Sequence, residues 1–262
     1  MIEQNKNIKH DRKIKRLVEV NEHAKQINVL DSRYYQRAEG VFYPSVTSVL
    51  NYFPKDRFFE MWKKDVGHNI DIILRRAANE GTQVHTAIEK YINGEEITWM
   101  DEWGNTKYSL EVWKMIMKFV DFWETYKPEV VATEEHLFSD ELKVAGTCDL
   151  VCRIDGELWL IDFKTSNMLA KTYDLQLAAY TQAWNEIYEE KIQRQGILWL
   201  KSSKRGAKEG RVQGHGWELK ESTEPLETNL ELFRLIYEMY KLMNPEMKPL
   251  TETLPTVLTP TK

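Results

Sequence analysis

An Asp155-Gly156 dipeptide stands between two runs rich in β-branched and aromatic residues, 144–154 and 157–164. A type I′ turn needs positive φ at both central positions, which Asp-Gly tolerates, so the segment reads as a tight hairpin. A two-residue loop fixes the register: Ile154 faces Glu157, Asp149 faces Asp162, and Thr147 faces Lys164. Directly opposed residues have Cβ atoms about 4.5–5.5 Å apart. Two carboxylates that close, beside a lysine, repel strongly unless a cation lies between them. The pattern points to a divalent-metal site.

Strand alternation sharpens that reading. Asp162 and Lys164 share a face with Leu158 and Leu160, while Ile161 and Phe163 face the other way. On the partner strand Thr147, Asp149 and Val151 share a face. A strand face that is apolar at one end and acidic at the other suggests a site cut into a core rather than a solvated hairpin.

At 262 residues the chain is long enough for one large domain or two small ones. Cys148 and Cys152 fall on one face of the same predicted strand and cannot pair with each other. Two thiols are also too few for an iron–sulfur cluster, which takes about four. A reduced, cytoplasmic setting is expected. The polar start and the lack of a long apolar run give no sign of a leader or a membrane span. A net charge of −5 means that attraction to a polyanion has to be local.

Along the chain, residues 1–30 have a helical look but are so heavily charged that they read as a solvated or frayed arm, and 34–43 as a short hairpin around Glu39-Gly40. Ser45 is a candidate N-cap for a helix to Leu50. A helical stretch over 55–79 is expected to break at Gly81-Thr82, with Thr82 capping a second helix through Ile92. After a polar loop, 108–127 carries apolar residues at helical spacing. Strands are expected at 129–138, 144–154, 157–164 and 196–201, with a helix over 173–190 after the third. A basic loop, a strand ending near Leu219, a helix over 223–243 and a loose tail follow. The order is a helical front, then β-β-β-α-β, then a strand and a helix: an α/β fold.

Four further groups carry candidate chemistry. Gln176 and Tyr180 share a helix face and can order a lysine or a phosphate. His85 and Glu89 share another. A four-residue loop at 140–143 places Glu134 opposite Asp149, whereas a five-residue loop favours Glu135. Lys201, Lys204, Arg205, Lys208 and Arg211 form a basic loop suited to backbone phosphates, or simply to solvent.

Gly81-Thr-x-x-His85, Glu134, Ala145-Gly-Thr-x-Asp149, Ile161-Asp-Phe-Lys-Thr165 and Gln176-x-x-x-Tyr180, in that order, resemble the PD-(D/E)XK nuclease superfamily. Within it they look most like the RecB-type domains and the single-domain exonucleases of phages and mitochondria. The resemblance covers about 43–200, and the opening Tyr43-Pro-Ser-Val-Thr-Ser-Val-Leu50 fits it too. The proline that names the superfamily is absent, and Cys148 stands before Asp149.

The resemblance implies a restriction-endonuclease-like core, a mixed sheet flanked by helices. It assigns residues 1–43 to an arm and hairpin, 44–243 to the nuclease domain and 244–262 to a tail. Within that domain, 44–127 is a helical front, 128–201 the catalytic core and 202–243 a closing strand and helix. It implies His85, Asp149 and Asp162 as ligands of Mg²⁺ or Mn²⁺, with the Phe163 carbonyl completing the shell. Lys164 becomes the catalytic lysine, Glu134 a further acid, and Gln176 and Tyr180 supporting residues. The implied substrate is DNA with free, single-stranded ends, and the implied setting is replication, recombination or repair, with partner proteins from those processes and a phage origin. An endonuclease with the same site and a non-catalytic DNA-binding module are the alternatives.

Overall fold

The computed structural model describes residues 33–55, 57–202 and 216–249 in full, and 13–15, 19–21, 26–29, 32 and 253–255 as backbone. The elements run β1 (Lys13–Lys15), β2 (Glu19–Asn21), β3 (Gln26–Val29), β4 (Ser32–Ala38), β5 (Val41–Pro44), α1 (Val46–Leu50) and α2 (Arg57–Val66). A 3-10 turn at Gly67–Asn69 leads into α3 (Ile70–Ile92), then α4 (Leu110–Tyr126), β6 (Glu129–Ser139), β7 (Val144–Ile154) and β8 (Glu157–Lys164). The chain closes with α5 (Lys171–Ile187), β9 (Arg194–Trp199), β10 (Glu218–Glu221), α6 (Leu226–Met243) and β11 (Thr253–Pro255).

The central sheet has five strands in the order β10-β9-β8-β7-β6. Only β8 and β9 are parallel. Parallel neighbours need a crossover, and α5 provides it. On one side α1, α5 and α6 cover Val151, Leu158 and Leu160, packing Leu175, Ala179 and Phe233 against them. On the other, α3 and α4 cover Leu150, Ile161 and Phe163 with Val84, Ile88 and Phe119. This is the α/β, restriction-endonuclease-like architecture expected from the sequence.

The expected hairpin closes on Asp155 (φ 51) and Gly156 (φ 83), both left-handed as a type I′ turn requires. Ser45 caps α1 by accepting the Ser48 N–H, and Ser109 caps α4 through Val112.

Five expectations are corrected. The arm at 1–30 is not helical where it is described: 13–15, 19–21 and 26–29 are strands, and β2 and β3 extend the β4–β5 hairpin into a four-stranded sheet. Gln26-Ile-Asn-Val29 alternates with period two, the strand signature that the surrounding charges mask. Gly81-Thr82 does not break a helix, because α3 runs unbroken through it and the Thr82 hydroxyl donates to the Ala78 carbonyl. The break falls earlier, at Gly67 (φ 59). The last sheet strand begins at Glu218 instead of ending near Leu219. The tail after α6 is not loose throughout: Met247 packs against the core and β11 pairs with β1. Finally, the cysteines do not share a face. Cys148 lies in the core under α5, and Cys152 in the core under α3 and α4.

That last correction bears on the site. Val144 and Cys148 face α5, yet Leu150, Cys152 and Ile154 face α3 and α4. The alternation of β7 therefore inverts around Asp149.

Candidate active site

The ladder between β7 and β8 runs from Ile154↔Glu157 only as far as Leu150↔Ile161. The expected facing pairs Asp149–Asp162 and Thr147–Lys164 lie beyond its end. There the Asp149 carboxylate replaces a strand carbonyl: its Oδ2 accepts the Phe163 N–H at 2.6 Å. Its Oδ1 lies 3.3 Å from His85 Nδ1, which α3 brings in over the Phe163 ring. Thr147 turns to His136 Nδ1 (2.8 Å) and the Tyr35 hydroxyl (3.3 Å) instead of to Lys164.

On the other side of Asp149, β6 pairs in the register set by a four-residue turn, Ser139↔Val144 through Glu135↔Cys148 and Thr133↔Leu150. This places Glu134 at the level of Asp149. Glu134 has φ 48, a left-handed conformation unusual for a non-glycine in a strand. Thr133 braces it by donating from Oγ1 to the Asp149 carbonyl at 3.1 Å. Glu135 points elsewhere and accepts the Tyr188 hydroxyl at 2.6 Å.

One donor atom from each of His85, Glu134 and Asp149 lies within 4.8 Å of the others. Asp162 stands outside that trio. It ion-pairs through Oδ2 with Lys164 and accepts Gln176 Nε2 on Oδ1 at 2.8 Å. Oδ2 is fully buried, so the Lys164 ammonium is its counter-charge. Gln176 completes a clamp by accepting Lys164 Nζ at 3.1 Å and reaching the Tyr180 hydroxyl at 3.4 Å. The Lys164 ammonium also sits over the Tyr173 ring, 4.6 Å from its centroid.

Two glycines permit this assembly. A Cβ on Gly146 would lie 2.5 Å from the Tyr180 ring, so only glycine lets that ring cross β7. A Cβ on Gly81 would lie 3.2 Å from Thr165 Oγ1, so α3 approaches the end of β8 closely there. The cleft beside the site is lined by Ala78, Gly81, Thr82, His85, Glu89 and Glu134.

The charges are interdependent. Burial by itself would lower the His85 imidazole, but the Asp149 carboxylate outweighs it and pushes the value up to about 9. Burial and the neighbouring Asp149 push Glu134 up to about 7. Burial also raises Asp162, to about 6, against the pull of Lys164. Asp149 is held low despite burial because His85 and Lys164 stabilise its charge. Burial would discharge Lys164, but Asp162 and Asp149 raise it above the ordinary value. An acid held near neutrality beside a carboxylate that stays ionised is a negatively biased pocket, which favours a cation.

The donor set fits a hard divalent cation: two carboxylates and one imidazole converge on one point, with Asp162 adjacent. Tyr173 was not singled out from the sequence, although it lies three residues before Gln176 on the same helix face, the spacing that could have found it. Of the basic loop, Lys201 pairs with Glu218 at 3.1 Å, and Lys204, Arg205, Lys208 and Arg211 lie outside the described residues.

A family model described as the PD-(D/E)XK nuclease superfamily matches residues 64–249. No curated protein matches. Among solved structures, one from Eubacterium rectale, described as a "putative exonuclease", is 14% identical, covers 78% of this chain and 82% of its own, and superposes with a TM-score of 0.43. Among the described residues no helix is long and apolar enough to cross a membrane.

Proposed function

The chain belongs to the PD-(D/E)XK nuclease superfamily, and from that premise we propose that it is a Mg²⁺- or Mn²⁺-dependent exonuclease that hydrolyses DNA from free, single-stranded ends. The convergence of His85, Glu134 and Asp149 beside the clamped Lys164 carries the reading. These three, with Asp162 and the Phe163 carbonyl as further donors, would hold the cation. When bound, the cation supplies Lewis-acid polarisation of a phosphoryl oxygen and cancels part of the charge of the phosphodiester.

The protein's own groups do the rest. Lys164 carries its positive charge at neutral pH, so its first role is electrostatic: it orients a water and offsets the charge that grows on the phosphoryl oxygens. Asp162, Gln176 and the Tyr173 ring hold that ammonium in place, so little reorganisation accompanies the reaction. Tyr180, whose ring Gly146 admits, in turn contacts Gln176. A strand entering along α3 meets small side chains at Ala78, Gly81 and Thr82 before reaching His85, which suits the approach of a sugar–phosphate backbone. Residues of the basic loop, beginning at Lys201, would bind phosphates beyond the site. The helical front at 44–127 would then demand a free end, and a role in DNA replication, recombination or repair, alongside proteins of those processes, follows from that activity. A phage origin and a cytoplasmic setting complete the proposal.

The test is digestion of end-labelled linear and circular single-stranded DNA with Mg²⁺, with Mn²⁺, and with a chelator. Stepwise loss of the linear substrate, resistance of the circle and silence with the chelator are expected. Cleavage of the circle would replace the exonuclease by an endonuclease, and no cleavage with either metal would remove the activity.

A further inference from the structure

A second feature of the molecule is built with care and has no part in this chemistry. The loop between α3 and α4 carries Trp103 at its tip, 79% exposed. A loop tip with such a side chain is usually free to fold it away, but this loop is pinned. Asp101 Oδ1 accepts the backbone N–H groups of Trp103 (3.0 Å) and Asn105 (2.8 Å), and Oδ2 accepts Asn105 Nδ2 (3.0 Å). The Asp101 N–H donates to the Asn105 carbonyl and the Gly104 N–H to the Asp101 carbonyl, while Met100 bridges Thr106. Below, Trp99 stacks on Trp113 with 10° between the planes, and Tyr108 stacks on Trp113 at 21°. The loop therefore stands on an aromatic base and presents its indole to solvent.

The apolar character continues past the loop. Leu110, Trp113 and Met117 share a face of α4, and Leu110 and Met117 are 51% and 57% exposed; Met100 is 44% exposed. The stretch that carries this surface is net acidic. Over residues 95–114 five carboxylates (Glu95, Glu96, Asp101, Glu102, Glu111) stand against two lysines. Of these lysines, Lys107 donates to Thr98 and Lys114 pairs with Glu111. An acidic surround repels a nucleic-acid backbone, and a chain of net charge −5 opposes its own copy there. Tryptophan is the residue most enriched among side chains that dominate protein interfaces, and a pre-ordered one loses little freedom on docking.

We propose that the Trp103 loop and the Leu110–Trp113–Met117 stripe form a docking surface for a partner protein that offers an apolar pocket rimmed by lysines or arginines. Trp103 fills the pocket, and the carboxylates around it meet the basic rim, which sets the approach and excludes acidic competitors. The surface owes nothing to the metal-site residues, so it stands whether or not the chain cleaves DNA.

The probe is a pair of fluorescein-labelled amphipathic helical peptides, one of leucine and lysine and one of leucine and glutamate, titrated by anisotropy onto the full chain. The lysine peptide should bind, the glutamate peptide should not, and Trp103→Ala should weaken binding about tenfold or more. The double variant Glu96→Lys/Glu102→Lys, which leaves the aromatic base intact, should weaken it similarly, with thermal unfolding unchanged in both. Binding left unchanged by Trp103→Ala overturns the proposal: the attraction is then charge alone if the double variant weakens it, and lies elsewhere on the chain if neither variant does. Two other results also overturn it: a dimer in sedimentation that Trp103→Ala dissolves, making a second copy the occupant, or loss of oligothymidylate binding in that variant, making it a nucleic-acid contact.

Discussion

At the scale of the residue, Glu134 concentrates the cost of the site. It sits in a left-handed conformation, faces the Asp149 carboxylate and is pushed up to about 7 by burial and that neighbour. Left-handed non-glycine backbone costs of order 1–3 kcal/mol, and a neutral amide removes the repulsion. In metal-free protein Glu134→Gln should therefore raise stability by about 1–3 kcal/mol, read as a higher Tm with chelator present. Mn²⁺ should raise the Tm of the wild type much more than that of the variant. The pH dependence has a definite sign. A carboxyl whose value rises from 4.5 to about 7 on folding stabilises the fold below about pH 4.5 and loses that contribution up to about 7. His85, raised from 6.5 to about 9, stabilises below 6.5 and loses its share up to about 9. The Tm of metal-free protein should fall across that window, and His85→Gln should flatten its upper half. At Lys164, replacement by alanine should lower cleavage by about a thousandfold or more, with DNA binding in Ca²⁺ nearly unchanged. A lysine that served only to stabilise the fold would instead show its loss in the Tm.

At the scale of the element, three devices bring the residues together: the end of the β7–β8 ladder, the unbroken α3 and the close crossing of α5 over Gly146. The last gives a sharp prediction. Gly146→Ala places a Cβ 2.5 Å from the Tyr180 ring, and overpacking of this kind costs about 1–3 kcal/mol. Displacing the ring also disturbs Gln176 and through it Lys164, so activity should fall by more than the stability loss explains. Assays well below the Tm separate the two effects. By contrast, Ser109→Ala removes the α4 cap far from the site. It should cost about 1 kcal/mol in urea unfolding and leave cleavage intact.

At the scale of the molecule, the sheet separates two cores, and β7 and β8 carry residues of both to the site. Phe163 lies in the core under α3 and α4 and contacts Phe119, with centroids 5.4 Å apart, while its N–H holds Asp149. Its neighbours Asp162 and Lys164 turn to the clamp on α5. Phe119→Ala should cost about 3–5 kcal/mol and should also weaken Mn²⁺ binding, since His85 and Asp149 are positioned from that core. Calorimetry at a temperature where the variant is folded would detect this, and unchanged affinity would show that the site tolerates a loosened core.

The sequence by itself determined what local rules can determine. The Asp155-Gly156 turn, the helix cap at Ser45, the alternation of β8 and the four-residue turn that aligns Glu134 all follow from interactions within a few residues. Asp149, Asp162 and Lys164 are visible because charged side chains are rare on apolar strands, whereas His85, on a helix, stands out only beside the other motifs. Tertiary structure alone decided how they are shared out. Strict alternation made Asp149 and Asp162 one facing pair, yet the ladder stops short and β7 inverts around Asp149. One acid therefore goes to His85 and Glu134, the other to Lys164 and Gln176. That split depends on α3 and α5 approaching from opposite sides of the sheet, and on two glycines far apart in the chain that let them in. A period of two along one strand carries no record of packing between elements so distant in sequence.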